Sequence, residues 1–500
     1  MITLPISSNN SNQSLKKLPL AHTLPLNVGL IHIVGIGGIG MSGIAEILHN
    51  LGYKVQGTDI AENANITRLR TQGINVTIGH DASNIDGAAV LVISSAVKAG
   101  NAEVDSARLR HIPVVNRADM LAELMRLKMA VAIAGTHGKT TTTSLTAALL
   151  EAGGLEPTII NGGIINALGT NAKVGKGEWM VVEADESDGT FTKIPATIAV
   201  ITNIDPEHLD YYGSFEALKS AFQQFVANIP FYGFAVMCVD HPVVQELVGK
   251  IHDRRVVTYG YASQADIRPV DIAFSEAGQT FSIEFSERIA GIKTLETGFI
   301  LPMHGEHNLS NACAAIAVAR ELGIDMATIK SGLQGFSGVK RRFTKTGVVN
   351  GVTIIDDYGH HPVEIAATLK SARQAAGSGK VIAVIQPHRF TRVRDLFNEF
   401  CKCATQADVV FISEIYTAGE QQIDGINRDA LVQGMLTQGH KSVHGFDGKQ
   451  DLATALAPHL QAGDYVICLG AGNITNWAAD LPEELASISA INAPKLQHRN

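Results

Sequence analysis

The sequence predicts an α/β protein of three domains, each built on a mostly parallel sheet. Three features carry this expectation. The 500 residues exceed what one hydrophobic core holds, since single cores rarely grow past about 250–300 residues. Short apolar runs alternate with helix-like stretches, as in sheets covered by helices on both faces. Glycine-rich loops follow two of these runs directly, and ligands of such folds bind where strands end.

The first unit, residues 28–128, opens with the run Leu30-Ile31-His32-Ile33-Val34, which stops at glycines. Residues 41–51 are helix-like, and Lys54-Val55-Gln56-Gly57-Thr58-Asp59 completes a β-α-β pattern. Buried strands are expected at 90–93 and 112–115, and residues 117–128 read as a helix leading into the next domain. Residues 1–27, rich in Asn and Ser, read as a disordered tail.

The second unit, 129–337, starts with the apolar run 129–134, a glycine loop and a long helix of Thr, Ala and Leu. Further strands are expected at 179–182, 198–202, 235–239 and 256–259. Alternation within 267–285, as in Thr280-Phe281-Ser282-Ile283-Glu284-Phe285, predicts antiparallel strands at the edge. A helix from about 308 to 322 closes the unit. The third unit, 338–500, repeats the format with strands at 352–355, 381–385, 409–412 and 465–469.

The net charge of −8 comes with no dense Lys/Arg cluster, so no nucleic-acid partner is expected. No apolar run approaches the roughly 20 residues of a membrane span, and the start lacks the pattern of a signal peptide. Five scattered cysteines argue against a disulfide framework and suit a reducing cytoplasm. Cys401 and Cys403 read as two small residues on a helix, because nothing nearby completes a zinc tetrahedron.

Gly35-Ile36-Gly37-Gly38-Ile39-Gly40 lies between strand and helix, with Asp59 ending the next strand. This is the fingerprint of a Rossmann-like domain, but its physics specifies only a diphosphate at a helix N-terminus. A redox dinucleotide and another nucleotide both satisfy it. A nucleotide-binding oxidoreductase would leave the second loop unexplained.

That loop, Gly135-Thr136-His137-Gly138-Lys139-Thr140, is more specific, marking a P-loop-type central domain. Lys139 can reach outer phosphates, and the Thr140 hydroxyl can bind Mg²⁺. Ile133 stands where the general pattern has its first glycine, so the loop is a shortened variant. Thr141 begins the following helix beside the expected ATP site. Glu183, at the end of a buried strand, is the candidate metal carboxylate, while Asp185, Glu186 and Asp188 read as solvated turn residues. His208 follows another buried strand.

Together with Asp356-Asp357-Tyr358-Gly359-His360-His361-Pro362 and Gln386-Pro387-His388-Arg389-Phe390-Thr391-Arg392, these loops resemble those of the Mur ligases over about residues 28–480. The resemblance implies that the first domain binds UDP-N-acetylmuramate, the second ATP with Mg²⁺, and the third, Rossmann-like again, L-alanine while closing over the site. It assigns the diphosphate at Gly35, Gly37, Gly38 and Gly40 to UDP, and Asp59, His80, Ser94 and Ser95 are expected around that pocket. It puts Lys139 on the ATP phosphates, and Thr140, Glu183 and His208 on the metal. Asn308 and Asn311, otherwise two helix-capping residues, fall to the adenine side. Arg342 and Asp357 reach back to ATP, and Arg341 with Arg342 would otherwise read as a solvated linker pair.

Tyr358 and His360 would meet the incoming alanine, with His360 its proton acceptor or an orienting group. His388, Arg389 and Arg392 would lie near carboxylate and phosphate groups, which suits the planar guanidinium. Several family members carry a carbamylated lysine. Family spacing from His208 reaches Phe222 here, with Lys219 one turn earlier. The implied reaction is ATP-dependent amide-bond formation in cell-wall precursor synthesis.

Overall fold

The computed structural model describes residues 28–492 except Ser95 and Glu276, so the tail expected at 1–27 and the expected pocket residue Ser95 lie outside the described residues. Three sheets follow one another along the chain. The first holds β1 (Leu30–Val34), β2 (Lys54–Asp59), β3 (Asn75–Ile78), β4 (Ala88–Ile93) and β5 (Val114–Asn116), all parallel, in the order β3-β2-β1-β4-β5. Because β1 lies between β2 and β4, the loops after these strands open at one carboxyl edge.

The central sheet has ten strands: β6 (Met129–Ala134), β7 (Thr158–Ile165), β8 (Thr170–Lys173), β9 (Trp179–Glu183), β10 (Ile198–Ile201), β11 (Phe234–Cys238), β12 (Arg255–Tyr259), β13 (Ile267–Ser275), β14 (Gly278–Phe285) and β15 (Thr294–Leu301). Its middle is parallel, and β13, β14 and β15 form an antiparallel edge as the alternation predicted. β6 sits between β10 and β9, with Ala134 opposite Ile201 and Ile133 opposite Glu183. This register brings the glycine loop, the loop after Glu183 and the loop after Ile201 to one place.

The third sheet comprises β16 (Thr344–Val349), β17 (Val352–Asp357), β18 (Val381–Ile385), β19 (Val409–Ile412), β20 (Val443–Gly445) and β21 (Tyr465–Leu469), in the order β16-β17-β21-β18-β19-β20. Only β16 runs antiparallel to its neighbour. The strands fill with Val, Ile and Ala because helices bury both faces, and separate apolar clusters lie on the two sides of the third sheet.

Several elements differ from the sequence expectations. Ile112 and Pro113 precede β5 rather than opening it, since proline lacks the N–H a ladder needs. The hairpin β7–β8 was not expected, as its glycines and asparagines break the apolar pattern. It docks the first domain: Asn171 Nδ2 donates to the Ile39 carbonyl at 2.7 Å. The helix expected from 308 begins earlier and spans Glu306–Glu321, with Gly305 at its N-cap. No helix among the described residues is long and apolar enough to cross a membrane.

Candidate active site

Two cavities open at the carboxyl edges. The larger, of about 880 Å³, starts at Gly35, Gly37, Gly38 and Gly40, runs past Asp59, His80, Ser94 and Arg117 of the first domain, and reaches Gly162, Glu183 and Asp185 of the central domain. Gly37 is required by contact: a Cβ there would lie 2.5 Å from Asn63 Nδ2 and 2.9 Å from Asp59 Oδ2. Asp59 accepts the Gly37 N–H at 2.8 Å, so it shapes the glycine loop as well as lining the cavity. His80 Nδ1 is 3.2 Å from Glu103, a fully buried carboxylate that also accepts from Thr58 and Asn84.

The second cavity, of about 370 Å³, lies between the central and third domains. His137, Gly138, Thr141, Asn308 and Asn311 line one side, and Arg342, Asp357 and Glu364 the other. Gly138 adopts φ 83°, a left-handed conformation, and begins the helix Lys139–Ala152. A Cβ on it would meet Asn311 Oδ1 at 2.7 Å. Asn308 Nδ2 donates to the His304 carbonyl at 2.8 Å, and Asn311 faces the loop, so neither caps the helix. Thr136 fixes the loop from below by accepting the Asp205 N–H at 2.8 Å.

Lys139 curls over its own loop, donating to the Gly135 carbonyl at 2.7 Å and the Thr136 carbonyl at 3.1 Å. Its ammonium lies 2.8 Å from Glu186. Burial disfavours the charge, but Glu186, Asp185 and Glu183 together outweigh it and hold the lysine above its ordinary pKa. Glu186 is therefore no solvated turn residue. It is buried, and burial pushes its carboxyl upward against the pull of Lys139.

Of the residues expected at the metal, the structure gathers only some. Among the described residues, the group whose ligand atoms lie within 4.8 Å of one another is Glu186, Glu207 and His208. Thr140 is buried at the start of the helix Lys139–Ala152, and Glu183, outside that group, accepts the Gly162 N–H at 2.7 Å while facing the larger cavity. Two carboxylates and an imidazole suit a divalent cation that keeps several waters. His208 holds its place at φ 56°, and burial lowers its pKa, favouring the neutral form a metal needs. Phe222 is buried against Phe191, and Lys219 pairs with Glu216 at 2.5 Å, so neither joins this group.

The third domain brings β17, β21 and β18 side by side, and the loops after them supply the remaining residues. Asp357 is buried and accepts from the N–H groups of Phe343 at 2.7 Å and Gly359 at 2.8 Å, clamping the interdomain segment. In that segment Arg341 and Phe343 take φ 62° and 53°, which sets Arg342 against the Tyr358 ring at 5.2 Å. Arg341 donates to the Gly470 carbonyl at 2.6 Å, so the pair is not a solvated linker.

His360 lies between Tyr358 and His388, with ring centroids 5.1 and 5.8 Å apart. Its Nδ1 is 3.0 Å from the Tyr358 carbonyl. Burial pushes the His360 and His388 imidazoles down to about 4, so both are neutral at pH 7. The near-neutral titration expected of His360 is thus not found, because desolvation outweighs Glu364. Arg392 reaches His388 at 3.4 Å, whereas Arg389, at φ 71°, has an exposed side chain.

Sequence reasoning passed over Glu186, Glu207, Asp205, Tyr416 and Glu364. Tyr416 stacks on His388 at 5.5 Å. Glu364 had a readable signal, since it stands three residues after His361 and completes a capping box at the start of Pro362–Ala376. The others depend on tertiary contacts.

These two cavities and the loop between them define a three-domain nucleotide-type enzyme architecture, with sites formed across domain boundaries. The chain belongs to the Mur ligase family: the descriptions "Mur ligase family, catalytic domain", "Mur ligase middle domain" and "Mur ligase, glutamate ligase domain" match residues 30–129, 133–319 and 341–472. It is 62% identical over 465 residues to a UDP-N-acetylmuramate--L-alanine ligase of Rhodopseudomonas palustris (strain TIE-1), covering 93% of this chain and 99% of that one. A protein of the same name from Bradyrhizobium sp. (strain ORS 278) is 60% identical with the same coverage. Among solved structures, the UDP-N-acetylmuramate-alanine ligase MurC of Thermotoga maritima matches with TM-score 0.77 and 29% identity, covering 92% of this chain and 100% of that chain.

Proposed function

We propose that the protein joins L-alanine to the lactyl carboxylate of UDP-N-acetylmuramate, with ATP converted to ADP and phosphate. The observation that carries this reading is the course of the larger cavity. It runs from a diphosphate-type glycine loop directly to Glu183 and Asp185, beside the Lys139 loop. A nucleotide sugar held there would present its carboxylate to the γ-phosphate of ATP in the second cavity. The two whole-length relatives named for this reaction support the substrate choice.

In this reading the helix N-terminus at Gly138 and the Lys139 ammonium hold the phosphates, and the transfer is driven by position and charge. Glu186, Glu207 and His208 are gathered where Mg²⁺ would bind, with Thr140 and Glu183 as the further candidates from the family resemblance, and the ion would supply charge neutralisation at the phosphoryl oxygens. Arg342 and Asp357 close the nucleotide cavity from the third domain. The lactyl carboxylate takes the γ-phosphoryl group as ADP leaves, and the neutral L-alanine amine then attacks the acyl phosphate, forming the C–N bond, breaking the C–O bond to phosphate and giving up its proton to the departing phosphate and solvent. Neutral His360 accepts a hydrogen bond from the amine and orients it rather than holding its proton at pH 7. Tyr358, His388, Arg389 and Arg392 surround the amino-acid carboxylate. We place the reaction in the cytoplasm, since the five cysteines are free and buried, as suits a reducing compartment.

The test is ADP release with ATP, UDP-N-acetylmuramate and L-alanine, against the same assay with the tripeptide L-alanyl-γ-D-glutamyl-meso-diaminopimelate. Release with L-alanine alone among the acceptors is expected. Release with the tripeptide alone overturns the reading.

A further inference from the structure

We propose that Glu364 is a positioning residue that ties the phosphate loop of the central domain to the amino-acid end of the site. Its two carboxylate oxygens face different domains. Oε1 accepts from Nδ1 of His137, in the phosphate loop, at 3.2 Å. Oε2 accepts from the backbone N–H groups of His360 at 3.1 Å and His361 at 3.3 Å. One carboxylate therefore touches the loop proposed for ATP and the turn that presents His360.

Both ends of this link are anchored. The His137 N–H donates to Asn203 Oδ1 at 2.7 Å, and its carbonyl accepts from Thr202 Oγ1 at 2.6 Å. Its Nε2 lies 3.3 Å from Asp205, which in turn pairs with His241 at 3.2 Å. The His137 and His361 rings pack 4.9 Å apart across the domain boundary. On the other side, Glu364 caps its helix and His360 leans on the Tyr358 carbonyl, so a shift of Glu364 moves the imidazole. Burial opposes an ionised Glu364, but His360, once protonated in acid, and the hydrogen bond and charge of His137 more than compensate, and the carboxylate stays well below its ordinary pKa.

A second interdomain pair, Lys370 with Glu306 at 2.7 Å, is more exposed, and its hydrogen bond runs to Glu306 rather than to the phosphate loop or His360. It serves as the control, because it links the same two domains without touching the loop or the histidine.

The inference rests on the proposed reaction, and a double-mutant cycle separates the two. Glu364→Gln, His137→Gln and the double variant are assayed for ATP affinity by calorimetry and for KM of L-alanine, with Lys370→Ala alongside. Each single variant is expected to weaken ATP binding at least fivefold and raise the L-alanine KM at least tenfold. The double variant should be no worse than the poorer single, and Lys370→Ala should match wild type. Multiplying effects, or a lowered Tm with both constants unchanged, overturns the link. If wild type releases no ADP with L-alanine, the reaction fails, but the cycle is still read in ATP affinity. Should Glu364→Gln not fold, an unchanged ATP affinity in His137→Gln is sufficient to overturn the link.

Discussion

Glu186→Gln removes one charge from the most buried ion pair of the phosphate site. The side chains of Lys139 and Glu186 are 14% and 2% exposed and 2.8 Å apart. Breaking a buried pair from one side costs about 3–5 kcal/mol. Here the ammonium keeps two carbonyl partners and the field of Asp185 and Glu183, and burial already pushes the Glu186 carboxyl up to about 7 so that part of its charge is absent at neutral pH, which places the loss nearer ~2–3 kcal/mol. For a unit the size of the central domain this lowers Tm by roughly 5–10 °C. The same change removes a carboxylate from the group with Glu207 and His208, so the Mg²⁺ concentration for half-maximal rate should rise by about tenfold, equivalent to about 1.4 kcal/mol. The assays are differential scanning calorimetry and a magnesium titration of ADP release. A wild-type melting curve with an unchanged magnesium titration refutes both the buried pair and the metal assignment.

Lys139→Ala should lower kcat by ~10²–10³, as for loss of one preorganised electrostatic contact, and steady-state rates near wild type would contradict its place on the phosphates. Gly138→Ala forces a side chain into φ 83° and against Asn311, so ATP affinity measured by calorimetry should drop by about tenfold, with about 1–2 kcal/mol of strain. Stability should also fall in mild acid. His307, His360 and His388 are pushed by burial down to about 4, below the unfolded value of about 6.5, so the unfolded chain binds more protons between these limits. The stability they contribute is complete above pH 6.5 and is lost toward pH 4. His137 is opposed by burial but raised to about 10 by Asp205 and Glu364, so its contribution is nearly complete by 6.5 and barely changes below it, while Glu186, pushed by burial up to about 7, regains stability on taking a proton and offsets about one of the three histidines. Tm scanned from pH 7.5 to 4.5 should fall steadily below 6.5, and a flat profile would contradict the neutral histidines.

Much of the architecture was legible because parallel strands buried on both faces must be apolar throughout, and glycines must follow where backbone approaches phosphate. Runs such as Met129–Ala134 and Val381–Ile385 therefore announced themselves. The hairpin Thr158–Ile165 and Thr170–Lys173 did not, since its polar residues serve the contact with the first domain rather than a core. At the site, the loop residues could be read from their order along the chain. What escaped was the charge partner of each. Nothing local separates Glu186, buried against Lys139, from Asp188, which accepts a turn hydrogen bond from Thr190. His360 could be read as a base or as an orienting group because imidazole ordinarily titrates near neutrality, and its burial between domains favours the neutral, orienting role.

A three-substrate assay of ADP release by the whole chain tests the proposed reaction most directly. ADP should form only when ATP, UDP-N-acetylmuramate and L-alanine are all present, with Mg²⁺. ADP formation that is indifferent to the nucleotide sugar or to L-alanine would contradict it.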